Sequence, residues 1–233
     1  MDRKIVSNSE SIHRWVEACR LKGKIIRDEE IDVDGNFPDE KPLSHYNYMI
    51  KGQPKPTLTQ VADRSYGALQ TIAYSVKDIN AIFCPIWRDM NDRLMMVLKS
   101  KVVLNCDMSP EDFENYVMKR FHFSDLMNRW KMEVDISKYD KSQGLIALCF
   151  DCEMMRMLGV EEYYDDLWYK SHVRTVLRDR QNGLKARVKY QRKSGDASTW
   201  FGNTLFNMGV IAYVRVFRSD HKLESSGGIA ILW

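Results

Sequence analysis

"DISKYDKSQ", Asp135 to Gln143, sets two aspartates between a short apolar segment and what reads as the start of a helix. Carboxylates at a strand end can bind a metal, carry acid–base chemistry or cap the following helix, and the spacing alone does not choose between these. Upstream, "KMEVDIS" has strand character. Downstream, "SQGLIALCFDCEMMRMLG" places Leu145, Leu148, Cys149, Cys152, Met155 and Leu158 at helical spacing, with Gly159 as the stop.

Further on, "VEEYYDDLWYKSHVRTVL" reads as a second helix, "QNG" as a hairpin turn and "LKARVKY" as a strand. That strand alternates Leu184, Ala186, Val188 and Tyr190 with Lys185, Arg187 and Lys189, so one face is apolar and the other cationic. From Trp168 to Lys193 the only acid is Asp179, whereas the whole chain of 233 residues carries a net charge of just +3. Concentrating cations on one strand face, interleaved with aromatics, points to a polyanionic partner. Next comes "QRKSGDASTWFGNTLFNMG", a Ser194-Gly195 turn feeding an apolar helix on which Thr199, Asn203 and Asn207 share one face. Buried asparagines must be hydrogen-bonded, so this stripe implies a structural network or a polar ligand.

Towards the N-terminus, "SNSESIHRWVEACRLKG" reads as a short helix capped by Ser and Glu residues and ended by Gly23, and the stretch from Asp32 to Pro56 reads as a long loop. "ALQTIAYSVKDINAIFCPIWRDMNDRLMMVLKS" has a β-like opening and a helical middle, with Pro85 as an internal break. In "MSPEDFENYVMKRF", Ser109 is the N-cap, Pro110 the first helical residue, and acids fill the first turn. Five cysteines without a secretory signal favour reduced thiols, and Cys149 and Cys152, in mid-helix, read as buried structural thiols. With no second CxxC, a zinc site is not expected. The longest apolar run, "WFGNTLFNMGVIAYV", is short for a membrane span and reads as a buried helix.

Taken together, "DISKYDKSQ" and "QRKSGDASTWFGNT" resemble motifs A and B of the RNA-dependent RNA polymerases of positive-strand RNA viruses. The resemblance is to the alphavirus-like group that includes tobamo-, bromo- and closteroviruses, and it extends upstream through "ALQTIAYSVKDINAIFCPIWRDMNDRL" and "DMSPEDF". It implies an α+β fold, the fingers and palm of a right-hand polymerase, with a fingers-like region over 1–130 and a palm over 131–233 that carries a basic insertion at about 160–193. The implied activity is template-directed nucleotidyl transfer in viral RNA replication, with Mg²⁺ or Mn²⁺ as cofactor. Asp135 and the backbone carbonyl of Ile136 would hold the metal. Asp140, Ser194, Gly195, Thr199 and Asn203 would recognise the ribose of the incoming nucleotide, and Lys51, Lys55 and Arg64 its triphosphate. Lys185, Arg187, Lys189, Arg192 and Lys193 would contact template or product phosphates. Implied partners are RNA template and product, nucleoside triphosphates, and the helicase and capping-enzyme regions of a replicase. The expected location is the host cytoplasm, at membrane-associated replication complexes.

The family's Gly-Asp-Asp turn, motif C, has no counterpart between Val214 and Trp233, and neither has the thumb. Two readings follow: a polymerase fragment, or a catalytically silent RNA-binding fragment. The C-terminus is expected to be truncated or out of frame, since the codons of "GGIAILW" read from the third base of each can yield a Gly-Asp turn. A reverse transcriptase is disfavoured because such enzymes generally carry a bulky ribose gate where this sequence offers Asp140 and Asn203.

Overall fold

The computed structural model describes residues 4–23, 43–50, 71–100, 102–105, 108–128, 136, 139–179, 182–217 and 230–232. In chain order the elements are α1 (Ser9–Leu21), β1 (His45–Ile50), β2 (Thr71–Tyr74), α2 (Lys77–Val97), β3 (Val102–Leu104), α3 (Pro110–Arg120), α4 (Phe123–Met127), α5 (Tyr139–Ser142), α6 (Leu145–Met157), α7 (Glu162–Val173), β4 (Thr175–Arg178), β5 (Lys185–Val188), α8 (Thr199–Phe217) and β6 (Ala230–Leu232). This is a mixed α+β architecture.

The largest core forms where α2, α6, α7 and α8 meet. Phe83, Ile86, Trp87 and Met90 of α2 pack with Leu148, Cys152 and Met155 of α6, Trp168 of α7, and Phe201 and Leu205 of α8. Trp168 is its hub, meeting Phe83 edge-on at 4.9 Å and Trp87 at 5.2 Å between ring centroids, a geometry that suits aromatic quadrupoles. Beside this core lies a sheet of order β2-β1-β4-β5. Within it, β1 runs antiparallel to β2 and parallel to β4, and β4 runs antiparallel to β5. A second, two-stranded sheet pairs β3 with β6 in parallel.

Local chemistry sets several helix ends. Asn8, not the Ser and Glu residues expected, is the N-cap of α1, exchanging hydrogen bonds with Ser11, and Gly23 follows its end at φ +72° as expected. Ser109 accepts from the Asp112 amide at the start of α3, with Pro110 in the first turn.

Other expectations are corrected. Pro85 lies inside a continuous α2, where a fixed φ is compatible with the helix and the buried face on both sides carries the element through the missing N–H. The stretch read as a loop contains β1, whose Tyr46 is 2% exposed and which sits between two partners in the sheet. The helix expected to run to Leu177 stops at Val173, because Thr175–Arg178 finds ladder partners on both sides. On α6 the buried face is Ala147, Leu148, Asp151, Cys152 and Met155, while Leu145 and Cys149 are exposed. Of the two CxxC thiols only Cys152 is therefore internal, and burial pushes its pKa well up, away from thiolate chemistry. On α8, Phe201, Thr204 and Leu205 are buried, but Trp200, Val210, Tyr213 and Val214 are exposed. Among the described residues no helix is long and apolar enough to cross a membrane.

Candidate active site

The segment from Tyr190 to Asn203 enters the interior between the sheet and α6. Tyr190 has φ +59°, and its amide donates to the His172 carbonyl at 2.8 Å, which turns the chain away from the exposed strand β5. Arg192 and Lys193 follow and are buried, 5% and 3% exposed, so they do not share a surface with the strand cations with which the sequence groups them. The reason is a set of complementary acceptors. Arg192 donates through Nε to Gln143 Oε1 at 2.6 Å, through Nη1 to Ser198 Oγ at 2.6 Å and through Nη2 to Asp151 at 2.9 Å. Burial pushes the Asp151 carboxyl above its ordinary value, with Arg192 pulling it back down. Gly202 makes room for this guanidinium, since a Cβ there would collide with Arg192 Nη1.

The turn itself is docked on β2. The Gly195 amide donates to the Ala73 carbonyl at 2.9 Å, and a Cβ at Gly195 would fall 2.8 Å from Tyr74 Cβ and 2.9 Å from both Ala73 O and Ile72 Cγ2. Ser194, exposed, donates to the Thr71 carbonyl at 3.3 Å. Thr199 Oγ1 donates to the Lys193 carbonyl at 2.7 Å, tying the turn to the first residue of α8. Under the turn, Asp196 Oδ2 lies 2.7 Å from His172 Nε2. Burial raises the Asp196 carboxyl, but His172, Lys193 and Arg192 together hold it below the usual range. Lys193 Nζ lies 4.8 Å from the centre of the Tyr46 ring and has no hydrogen-bond partner among the described residues, and burial brings its pKa down to about 8.

One turn into α8, Asn203 bridges to the motif of Asp135 to Gln143. Its Nδ2 donates to Asp140 Oδ1 at 2.7 Å, its Oδ1 accepts from Gln143 Nε2 at 2.6 Å, and its backbone carbonyl accepts from the Tyr139 hydroxyl at 3.3 Å. Two stretches sixty residues apart in sequence thus share one polar cluster at the edge of the core.

The RNA dependent RNA polymerase family profile matches residues 1–227. The chain belongs to that family. It is 37% identical over 172 residues to the RNA replication protein of Citrus leprosis virus C, covering 73% of this chain and 7% of that protein. It is 35% identical over 211 residues to the replicase large subunits of tomato brown rugose fruit virus and of tobacco mosaic virus (strain OM), covering 87% of this chain and 12% of each. The chain therefore spans only a small part of these relatives, and they place it with the viral polymerases of the alphavirus-like group.

The other expected site residues fall outside this cluster or outside the described residues. Asp135, Lys51, Lys55 and Arg64 lie outside the described residues. Ile136 is 36% exposed. Lys185, Arg187 and Lys189 are exposed along and just beyond β5, an edge strand, and Leu184 just before it and Ala186 within it are exposed too, so of the apolar face read from alternation only Val188 and Tyr190 are half-buried. Asn207, the third member of the polar stripe, is half-buried. Sequence reasoning missed Gln143, Asp151, His172 and Asp196. A signal existed for each acid: Asp151 interrupts the apolar face of α6, and Asp196 lies inside the turn motif.

Proposed function

We propose that the chain supplies fingers and palm elements of an RNA-directed RNA polymerase and takes part in template-directed nucleotidyl transfer during viral RNA replication. The observation that carries this reading is the Asn203–Asp140 hydrogen bond of 2.7 Å, which joins the two motifs into one donor–acceptor pair. Such a pair suits a ribose: Asp140 retains a second carboxylate oxygen to accept from a sugar hydroxyl. A site built to hydrogen-bond a 2′-hydroxyl rejects the deoxy analogue, because its own buried polar groups would be left unpaired. Thr199 and Gly195 act in this reading by holding the turn against β2, with Ser194 at its exposed edge.

The donors suit a hard divalent ion. Asp140 Oδ1 is engaged by Asn203, which leaves the Asp135 carboxylate and the Ile136 backbone carbonyl to hold Mg²⁺ or Mn²⁺. Nucleotide phosphates or other parts of the polymerase would complete the set. The bound ion would acidify the attacking 3′-hydroxyl and neutralise phosphate charge. Lys51, Lys55 and Arg64 would face the triphosphate, and Lys185, Arg187 and Lys189 the RNA backbone. Helicase and capping regions, and membrane-associated complexes in the host cytoplasm, belong to the wider replicase in this reading.

The test is primer extension by the replicase that carries this chain. Asp135→Asn is expected to abolish incorporation while RNA binding persists, and undiminished incorporation by that variant overturns the reading. The exposed cations of β5 favour a second reading, a silent RNA-binding fragment. That one is supported if the isolated chain binds RNA and Asp135→Asn changes nothing in the replicase.

A further inference from the structure

The polar cluster around Asn203 has a direction. Arg192 has only donors, so the Gln143 oxygen must face it, and Gln143 Nε2 is thereby turned towards Asn203. Asn203 then presents Oδ1 to Gln143 and Nδ2 to Asp140, an acceptor-only carboxylate. Every hydrogen bond runs the same way, from the buried Arg192 outward to Asp140, and Arg192 is itself anchored on Asp151 at 2.9 Å. Gln143 is 3% exposed, so no bulk water competes for its amide.

We propose that Gln143 and Arg192 are positioning residues for sugar selection: they lock the Asn203 amide in the orientation that offers its N–H to Asp140 and to the ribose. This rests on the proposed role of Asn203 and Asp140 in reading the ribose, and it extends that role to a buried ion pair that touches no nucleotide. Without the donor of Gln143, the Asn203 amide is free to rotate by half a turn. Its oxygen would then face the Asp140 carboxylate, two acceptors would oppose each other, and the sugar site would lose its donor.

The test compares kcat/KM for a ribonucleotide and its 2′-deoxy counterpart in primer extension by the replicase that carries this chain. Gln143→Glu is nearly isosteric and still accepts from Arg192, but it cannot donate to Asn203. It is expected to lower the ribo-to-deoxy ratio by about tenfold or more, the scale of one lost charge-assisted hydrogen bond, mainly by raising KM for the ribonucleotide. Arg192→Lys keeps a cation against Asp151 while removing the planar fork, and should lower the ratio in the same direction, so the inference does not hang on one variant. A residue that merely supports the fold would slow both nucleotides equally. Adding Asp140→Asn to Gln143→Glu supplies a donor to the reversed amide and should recover part of the melting temperature lost by Gln143→Glu alone. Asn203→Ala separates the two levels. If it abolishes discrimination while Gln143→Glu and Arg192→Lys keep the wild-type ratio, the positioning role is overturned and the sugar reading stands. If Asn203→Ala itself leaves the ratio unchanged, both fall.

Discussion

Lys189 and Arg192 are close neighbours in one basic run, yet they end in opposite environments: Lys189 is exposed beyond the edge strand β5, and Arg192 is 5% exposed inside the polar cluster. The division falls at Tyr190, whose left-handed φ turns the chain inward. Before that turn the cations face solvent, where a charge keeps its hydration and remains free for a polyanion. After it each cation needs a built environment. Among the described residues Arg192 has three acceptors in Gln143, Ser198 and Asp151, whereas Lys193 has the face of Tyr46 and the nearby Asp196 charge. A run of like charge is therefore not one functional unit, and the sharpest way to break the distinction is to remove a charge on each side.

The largest effect is expected at Arg192. Arg192→Met leaves the Asp151 carboxylate buried without its counter-charge, and breaking such a pair costs about 3–5 kcal/mol. Urea unfolding of the chain at neutral pH measures this, and a loss below about 1 kcal/mol would mean that Asp151 is reached by solvent or already neutral.

Lys193 comes next and behaves differently, because its environment penalises the charge. Its folded pKa is lowered from 10.5 to about 8, so between those values the unfolded chain binds more protons and stability rises with pH. The penalty is complete below about 8 and fades as pH approaches 10.5. Lys193→Met removes the titration. The stability of the variant relative to the parent should therefore shift in its favour by up to about 3 kcal/mol as pH falls from 10.5 to 8, followed by chemical denaturation across that range. A pH-independent difference would place the Lys193 ammonium in contact with water.

The same comparison explains what was legible in the sequence. Alternation along "LKARVKY" exposes β5, and the spacing from Ser194 to Asn203 exposes the turn and helix, because both patterns are local. The burial of Arg192 is not local: its acceptors come from α6, from the end of the Asp135–Gln143 motif and from the turn after it. Asp140 and Asn203 could be linked only because two separately recognisable motifs imply a common site, and the structure sets them 2.7 Å apart. Strand β1 was hidden among loop-forming residues, since its stability comes from partners β2 and β4 on either side and not from its own propensity. The helical pattern runs past the end of α7 for the same reason, since the sheet claims Thr175–Arg178.

Gly195 tests how the inward turn is held, with a smaller effect. Gly195→Ala introduces a methyl group against Tyr74 Cβ and the Ala73 carbonyl, at 2.8 and 2.9 Å, too close to be absorbed without a shift of β2. The expected cost is about 1–3 kcal/mol, typical of overpacking, with the turn lifted off the strand. Thermal unfolding reads the cost, and hydrogen exchange at the Gly195 amide, which donates to Ala73, reads the lifting. Unchanged protection there would show that β2 moves with the turn.

The smallest effect on folding belongs to the strand cations, and it is the one that gives the comparison its meaning. Lys185, Arg187 and Lys189 are exposed on or beside an edge strand, so replacing all three with Ala should change stability by only about 0.5 kcal/mol per site or less. The same replacement should weaken RNA binding and flatten its salt dependence, because each phosphate contact releases about 0.7 of a counterion from a single strand, which lowers the slope of log K against log salt by about 2 for three contacts. Arg192→Met, by contrast, should leave that slope unchanged in whatever fraction of the chain remains folded, since a guanidinium committed to Asp151 releases no counterions on binding. Titration of a labelled single-stranded RNA over a range of salt concentrations gives both slopes. If the triple variant retains the parental slope, the exposed cations are not the RNA-contacting surface, and if Arg192→Met loses slope instead, the division of the basic run at Tyr190 is drawn in the wrong place.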